Sequence, residues 1–162
     1  EGRMKSSYYV AGGTRIYRQA MDDLMGRKSA YPCRPEWIEE LATVSHRGYT
    51  TGFAFAEEKI NACSPLCKNI QTHEPAGIVL GYDDIHKRVR IEARNHFKAS
   101  EDLQLLLPDD TINLDTQVLL DPDGKPIPEA HAGNQFHLPL PFSAPAGALL
   151  RKKIHTGKQT AA

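Results

Sequence analysis

From Val89 the chain alternates: Val89, Ile91 and Ala93 are apolar, and Arg90, Glu92 and Arg94 stand between them. A period of two turns one row of side chains to a core and the other to water, so this run predicts a half-buried strand. A second strand-like run, Leu103–Leu107, lies between Glu101-Asp102 and Pro108. The short segment between them, Arg94-Asn95-His96-Phe97-Lys98, reads as the tight corner of a hairpin. Further extended runs are predicted at Ala76–Tyr82, Thr111–Leu120, Lys125–Ile127, Gln135–Leu140 and Ala148–Ile154. Asp83-Asp84-Ile85-His86-Lys87 reads as a turn, and so does Asp121-Pro122-Asp123-Gly124, where proline presets φ and glycine accepts φ > 0. About six short strands at regular spacing predict a small barrel or sandwich.

The N-terminal third has a different period. Tyr9, Val10, Gly13, Ile16, Tyr17, Ala20, Met21 and Leu24 recur every three to four residues, which predicts a helix over Ser6–Met25 with that row as its apolar face. Gly12-Gly13 weakens it by about 1 kcal/mol per glycine against alanine, and lets another element approach closely. Gly26 is a natural stop. Pro35–Val44 predicts a second helix, with proline in its first turn, glutamates near its N-terminus, and Trp37, Ile38, Leu41 and Val44 as its buried row. The stretch Ala56–Pro75 has no clear period and reads as a long loop.

Composition narrows the functional classes. The chain has 162 residues, 40% of them hydrophobic and 25% charged, as in a soluble globular domain with a real core. Lys+Arg and Asp+Glu both number 20, so any nucleic-acid role must come from a local patch. No apolar run approaches the roughly 20 residues of a membrane helix, and no secretion signal is visible at the start, so no membrane partner and a cytoplasmic, reducing location are expected. Three cysteines, an odd number, argue against a disulfide framework.

Several residues are candidates for chemistry. Cys63 and Cys67, with Cys33 and His73, have a spacing that zinc ligands use, but the second ligand pair is missing and Pro65 lies between the two. Loop thiols without an ion are the plainer reading. Ser45-His46-Arg47 lacks a nucleophile elbow and an identifiable acid, so it reads as a structural loop rather than a catalytic one. Arg94, Asn95 and Lys98 offer phosphate contacts, and Phe97 a stacking surface. The alternative is that Arg94 and Asn95 brace the corner and Phe97 is core. Arg151-Lys152-Lys153 is a second basic cluster.

The segments EGRMKS, Tyr8-Tyr9-Val10-Ala11, Tyr17-Arg18-Gln19-Ala20, SHRGYTTGF and RNHFK, in this order, resemble the C-terminal part of the peptidase U32 family. Within the family they look most like the bacterial branch that makes 5-hydroxyuridine at the tRNA wobble position. The resemblance runs from Glu1 to about Lys152. It implies that the chain is a fragment, with EGRMKS near the end of a TIM-like barrel. The fold it implies is mainly β: a helical connector over 1–55, a linker over 56–75, a six-stranded β-barrel similar to elongation-factor domain 2 over 76–155, and a disordered tail over 156–162. The family often has Gly-Asp after R-N-x-F, where Ser100-Glu101 stands here, which bears on the geometry of that turn. The family's iron–sulfur cysteines are expected in the barrel outside this chain, and no cofactor is expected within it. The function implied is assistance to tRNA binding for prephenate-dependent hydroxylation, with tRNA and the parent's own catalytic barrel as partners. Arg47, Arg94, Asn95, Lys98 and Arg151 are the candidate RNA contacts, with Tyr49 and Phe97 as stacking or core residues. The rivals are a peptidase fragment and a docking or dimerisation module without RNA contact.

Overall fold

A computed structural model describes residues 6–26, 33–49, 70–114 and 118–154. The chain divides into two compact units, Glu1–Tyr8 with His73–Ala162, and Tyr9–Thr72.

Two helices are described. Helix α1 spans Ser7–Gly26, as its period predicts, and α2 spans Pro35–Leu41. The buried row of α1 is Tyr8, Gly12 and Ile16, at i, i+4 and i+8. Val10, Tyr17, Met21 and Leu24, expected to be buried, are half or more exposed. The first turn explains the error. Tyr8, Tyr9, Val10 and Ala11 are all apolar or aromatic, so hydrophobicity there does not choose a face. Gly12 does admit a close neighbour, because a Cβ at that position would lie 3.2 Å from Val44 Cγ1. That neighbour belongs to the segment after α2. Arg15 pairs with Glu40 at 3.5 Å, and Arg34 pairs with Asp23 at 2.7 Å while its guanidinium lies 5.0 Å from the Trp37 ring centre. On α2, Trp37 is buried but Ile38 faces solvent, against expectation.

The other unit is β. Its strands are β1 (His73–Asp83), β2 (Arg88–Ala93), β3 (Phe97–Lys98), β4 (Leu103–Leu106), β5 (Thr111–Leu114), β6 (Leu119–Leu120), β7 (Pro126–Ile127), β8 (Glu129–Ala130), β9 (Gln135–Pro139) and β10 (Leu149–Lys153). Eight form an antiparallel sheet in the order β5-β4-β10-β1-β2-β9-β6-β7, and β3 pairs with β8 as a separate ribbon. This corrects the expected closed six-stranded barrel: β5 and β7 end the order and do not pair with each other among the described residues. It also corrects the expected hairpin. β2 pairs with β1 and β9, while β4 pairs with β10 and β5. The run predicted as one strand over Thr111–Leu120 is β5 and β6, with 115–117 outside the described residues. The expected loop over Ala56–Pro75 is already strand from His73.

The strand period holds where it was clearest. Val89, Ile91 and Ala93 are buried, while Arg90 is exposed. They share one core with Val79, Leu103, Leu105, Leu119, Phe136, Leu138 and Leu150. β1 carries Pro75 near its start, where the pairing with β10 slips between Pro75 and Gly77. A bulge is where a strand tolerates a residue with no N–H to donate. The turn after β1 is closed by Asp83, whose Oδ1 accepts from the backbone N–H of Ile85 at 3.0 Å and of His86 at 3.1 Å. Hydrogen bonds from the His86 imidazole and the His86 backbone N–H, with a lesser one from Arg88, favour the charged form and hold the Asp83 carboxyl well below the usual carboxylate range against the opposing effect of burial.

Candidate nucleic-acid interface

The segment between β2 and β3 continues the alternation of β2. Arg94, His96 and Lys98 are exposed, whereas Ala93 and Phe97 are buried. The main chain is held by Ala76, whose carbonyl accepts from Arg94 N at 2.8 Å and Asn95 N at 3.4 Å. The Asn95 side chain donates from Nδ2 to the Pro75 carbonyl at 2.7 Å, so it braces the corner. Phe97 is 0% exposed and meets Phe136 edge-to-face, with ring centres 5.6 Å apart. It cannot offer a face to a base; it is core.

The outward row is cationic, and carboxylates stand beside it. Arg94 Nη1 lies 3.2 Å from Glu92 Oε1. His96 Nε2 lies 3.0 Å from Glu129 Oε2. The Glu129 carboxyl is pulled below its ordinary value, chiefly by the hydrogen bond from His96 and by the nearby charges of His96, His131 and Lys98, against the opposing effect of burial. Surface ion pairs of this kind contribute little to stability, so a phosphate can compete for their cations.

The second basic cluster does not form a patch. Arg151 is 3% exposed. Its Nε donates to Oε1 of Gln104, its cross-strand partner, at 2.7 Å, and its Nη1 donates to the Tyr8 hydroxyl at 3.0 Å. The guanidinium is a brace inside the β unit, out of reach of an external phosphate. Lys152 is fixed by Glu74 and Glu101, each at 3.0 Å, and donates to the His96 carbonyl at 3.0 Å. Burial alone would lower its pKa, but the hydrogen bonds to Glu101 and Glu74 outweigh it, and the ammonium is held above its ordinary value. A raised lysine pKa stabilises the fold fully below the unfolded value of about 10.4, and that contribution disappears as pH rises through the higher folded value. Lys152→Gln is therefore expected to flatten the alkaline end of the stability profile. Urea midpoints measured from neutral pH to above pH 10 check this.

The remaining candidates lie apart from this row in sequence and in unit. Arg47 is exposed in the Tyr9–Thr72 unit. Tyr49 is stacked on His46 with ring centres 4.6 Å apart, and its hydroxyl donates to the Leu41 carbonyl. Burial, with smaller effects of Tyr9 and Tyr17, pushes the Tyr49 phenol up. His46 is held in the chain by paired backbone bonds with Ile70 at 2.8 and 3.0 Å, and its Nδ1 accepts from Gly48 N at 3.0 Å. His46, His86, His96 and His137 bond to Gly48 N, Asp83, Glu129 and the Asp121 carbonyl, and none of these partners is a serine or cysteine nucleophile. Cys63 and Cys67 lie outside the described residues. Cys33 is exposed, with its thiol toward the Arg34 carbonyl. No described helix is long and apolar enough to cross a membrane.

One feature escaped the sequence reading: Glu129 in β8 and His131 just after it stand beside His96. An i, i+2 pair of metal-ligating types was the available signal, but its cross-strand partner lies far away in sequence.

A sequence model of the peptidase family U32 C-terminal domain matches residues 71–151, and one of peptidase family U32 matches residues 1–63. Among curated proteins, tRNA hydroxylation protein P1 of Bacillus subtilis is 27% identical over 80% of this chain and 31% of its own length. tRNA hydroxylation protein P of Escherichia coli is 26% identical over 99% of this chain and 35% of its own length. This chain thus spans about a third of the curated relatives it matches. A crystal structure of the C-terminal domain of a Geobacillus thermoleovorans protein of the U32 group is 24% identical, with a TM-score of 0.45, covering 49% of this chain and 99% of that one.

Proposed function

The chain belongs to peptidase family U32, and we propose that it is the C-terminal part of a tRNA-modifying member whose β unit helps to hold tRNA. The observation that carries this reading is the match, along most of the chain, to proteins named for tRNA hydroxylation. The reaction proposed for the whole protein is prephenate-dependent 5-hydroxylation of the wobble uridine, in the cytoplasm. The iron–sulfur cluster implied by the resemblance is assigned to the part of such a protein outside this chain. Among the described residues there is one cysteine, Cys33, and it is no ligand set.

Within this reading the contacts are Arg94 and Lys98, which stand outward at i and i+4 of one braced corner, with Arg47 as a further cation. Asn95 acts by fixing the corner, and Arg151, Phe97 and Tyr49 serve the fold. Arginine offers a phosphate a two-pronged contact, and lysine a point charge. The double variant Arg94→Ala/Lys98→Ala is expected to weaken tRNA binding and to lower the slope of log affinity against log salt by about 1 per removed cation. Fluorescence anisotropy at several salt concentrations measures both quantities. An unchanged affinity and slope sink the assignment.

A second reading rests on α1. Val10, Tyr17, Met21 and Leu24 form an exposed apolar row, larger than scattered surface residues require. In the relatives about two thirds of the polypeptide lies outside the matched region, and that portion is the proposed occupant. Loss of tRNA binding in the double variant favours the first reading; an unaffected variant leaves docking as the role. For a peptidase role, the bonds of His46, His86, His96 and His137 engage no serine or cysteine nucleophile.

A further inference from the structure

We infer that His96, Glu129 and His131 form a binding site for a divalent transition-metal ion of the zinc class. The site follows from strand geometry. Phe97 pairs with Ala130 and Lys98 with Glu129, so the antiparallel register sets His96 opposite His131. Glu129 lies in β8 and His131 directly follows it, two residues on, with their side chains side by side. Phe97 and Ala130, one residue along, are both buried, which turns all three polar side chains to the opposite, open face.

The distances suit an ion. Glu129 Oε2 lies 3.0 Å from His96 Nε2, and Glu129 Oε1 lies 3.3 Å from His131 Nε2. One donor atom from each residue falls within 4.8 Å of the other two. In a tetrahedral zinc site, with bonds of about 2.1 Å, ligand atoms stand about 3.4 Å apart, so small side-chain rotations suffice. The two imidazole rings are 5.1 Å apart at their centres. Two imidazoles and a carboxylate are donors that zinc, nickel and cobalt accept, whereas magnesium and calcium prefer all-oxygen sets. Each neutral imidazole would move its proton from Nε2 to Nδ1 and present a lone pair to the ion.

The backbone around the ligands is already fixed. The His131 carbonyl accepts from Asn134 N at 3.0 Å, and the Ala93 carbonyl accepts from Gly133 N at 2.8 Å. The Lys152 ammonium holds the His96 carbonyl. Glu129 and His131 also line an open cleft of about 470 Å³ with Asp121, Asn134 and Phe136. Three protein ligands beside a cleft leave a coordination position for water or an exogenous anion, as in open zinc sites. The ion would staple β3 to β8, the ribbon that stands apart from the main sheet.

Calorimetric titration of zinc chloride into the full chain tests the site, with cobalt(II) as the spectroscopic probe. One equivalent is expected to bind through His96, Glu129 and His131, with a visible cobalt spectrum and no thiolate band at this site. His96→Ala and His131→Ala are each expected to weaken zinc by at least about 10-fold, the smallest loss typical even of outer-shell partners. Both side chains are half or more exposed, so these variants should keep the wild-type circular dichroism. A triple variant, Cys33→Ser/Cys63→Ser/Cys67→Ser, should retain the site. No zinc binding by the wild type, binding unchanged by His131→Ala, or binding abolished by the triple cysteine variant would each overturn the inference. None of these readouts involves RNA, so the site stands or falls separately from tRNA contact.

Discussion

Phe97→Ala is expected to lower the stability of the β unit by about 3–5 kcal/mol, the range for truncating a fully buried phenylalanine. Phe97 is one of the largest wholly buried side chains and packs edge-to-face on Phe136. The loss has two parts, the transfer of the ring's apolar surface and the cavity that remains beneath β2 and the β3–β8 ribbon. Its cross-strand partner Ala130 is small and can refill little of that space. Urea unfolding checks the magnitude. The same variant separates two roles for this residue. A base-stacking phenylalanine would lose RNA affinity with little change in stability, whereas a core residue loses stability first. A fall well under 1 kcal/mol would show that the ring is not part of the core.

Gly77→Ala is expected to destabilise by about 1–3 kcal/mol, the usual range for forcing extra volume into a packed site. A Cβ at Gly77 would lie 2.7 Å from Ile91 Cγ2 and 2.9 Å from the Glu92 carbonyl oxygen. The first atom belongs to a β-branched core side chain and the second to the main chain of the neighbouring strand, so neither gives way cheaply. Gly77 also pairs with Leu150 and Ala93 where β1 has just bulged, which ties the central strand to both neighbours. Gly81 is the internal control. Nothing lies within 4 Å of a Cβ built there, so Gly81→Ala should cost less. Thermal unfolding of the two variants side by side checks the difference, and equal losses would mean that close approach is not what Gly77 provides.

Much of the local structure was legible because it is set by neighbouring residues. The alternation over Val89–Arg94 became β2, and Asp121-Pro122-Asp123-Gly124 became a turn with Gly124 at φ 85° and its N–H bonded to the Asp121 carbonyl at 3.0 Å. Pairing was not legible. β4 lies beside β10, more than forty residues on in the sequence, and no local pattern announces that partner. The same limit hid the role of Arg151. In sequence it belongs to a basic triplet; in the sheet it faces Gln104 and Tyr8 and is buried. His131 reaches His96 for the same reason, through a strand register that periodicity cannot supply. The face of α1 failed differently: Tyr8 to Ala11 left the helical phase undecided by about one residue, or some 100°.

Anisotropy of labelled, unfractionated tRNA titrated with the full 162-residue chain, at low and then at physiological salt, tests tRNA contact most directly. Saturable binding that weakens steeply as salt rises, with a slope reduced in Arg94→Ala/Lys98→Ala, is the predicted result. Absence of binding at low salt contradicts it and assigns tRNA recognition to the part of these proteins outside this chain.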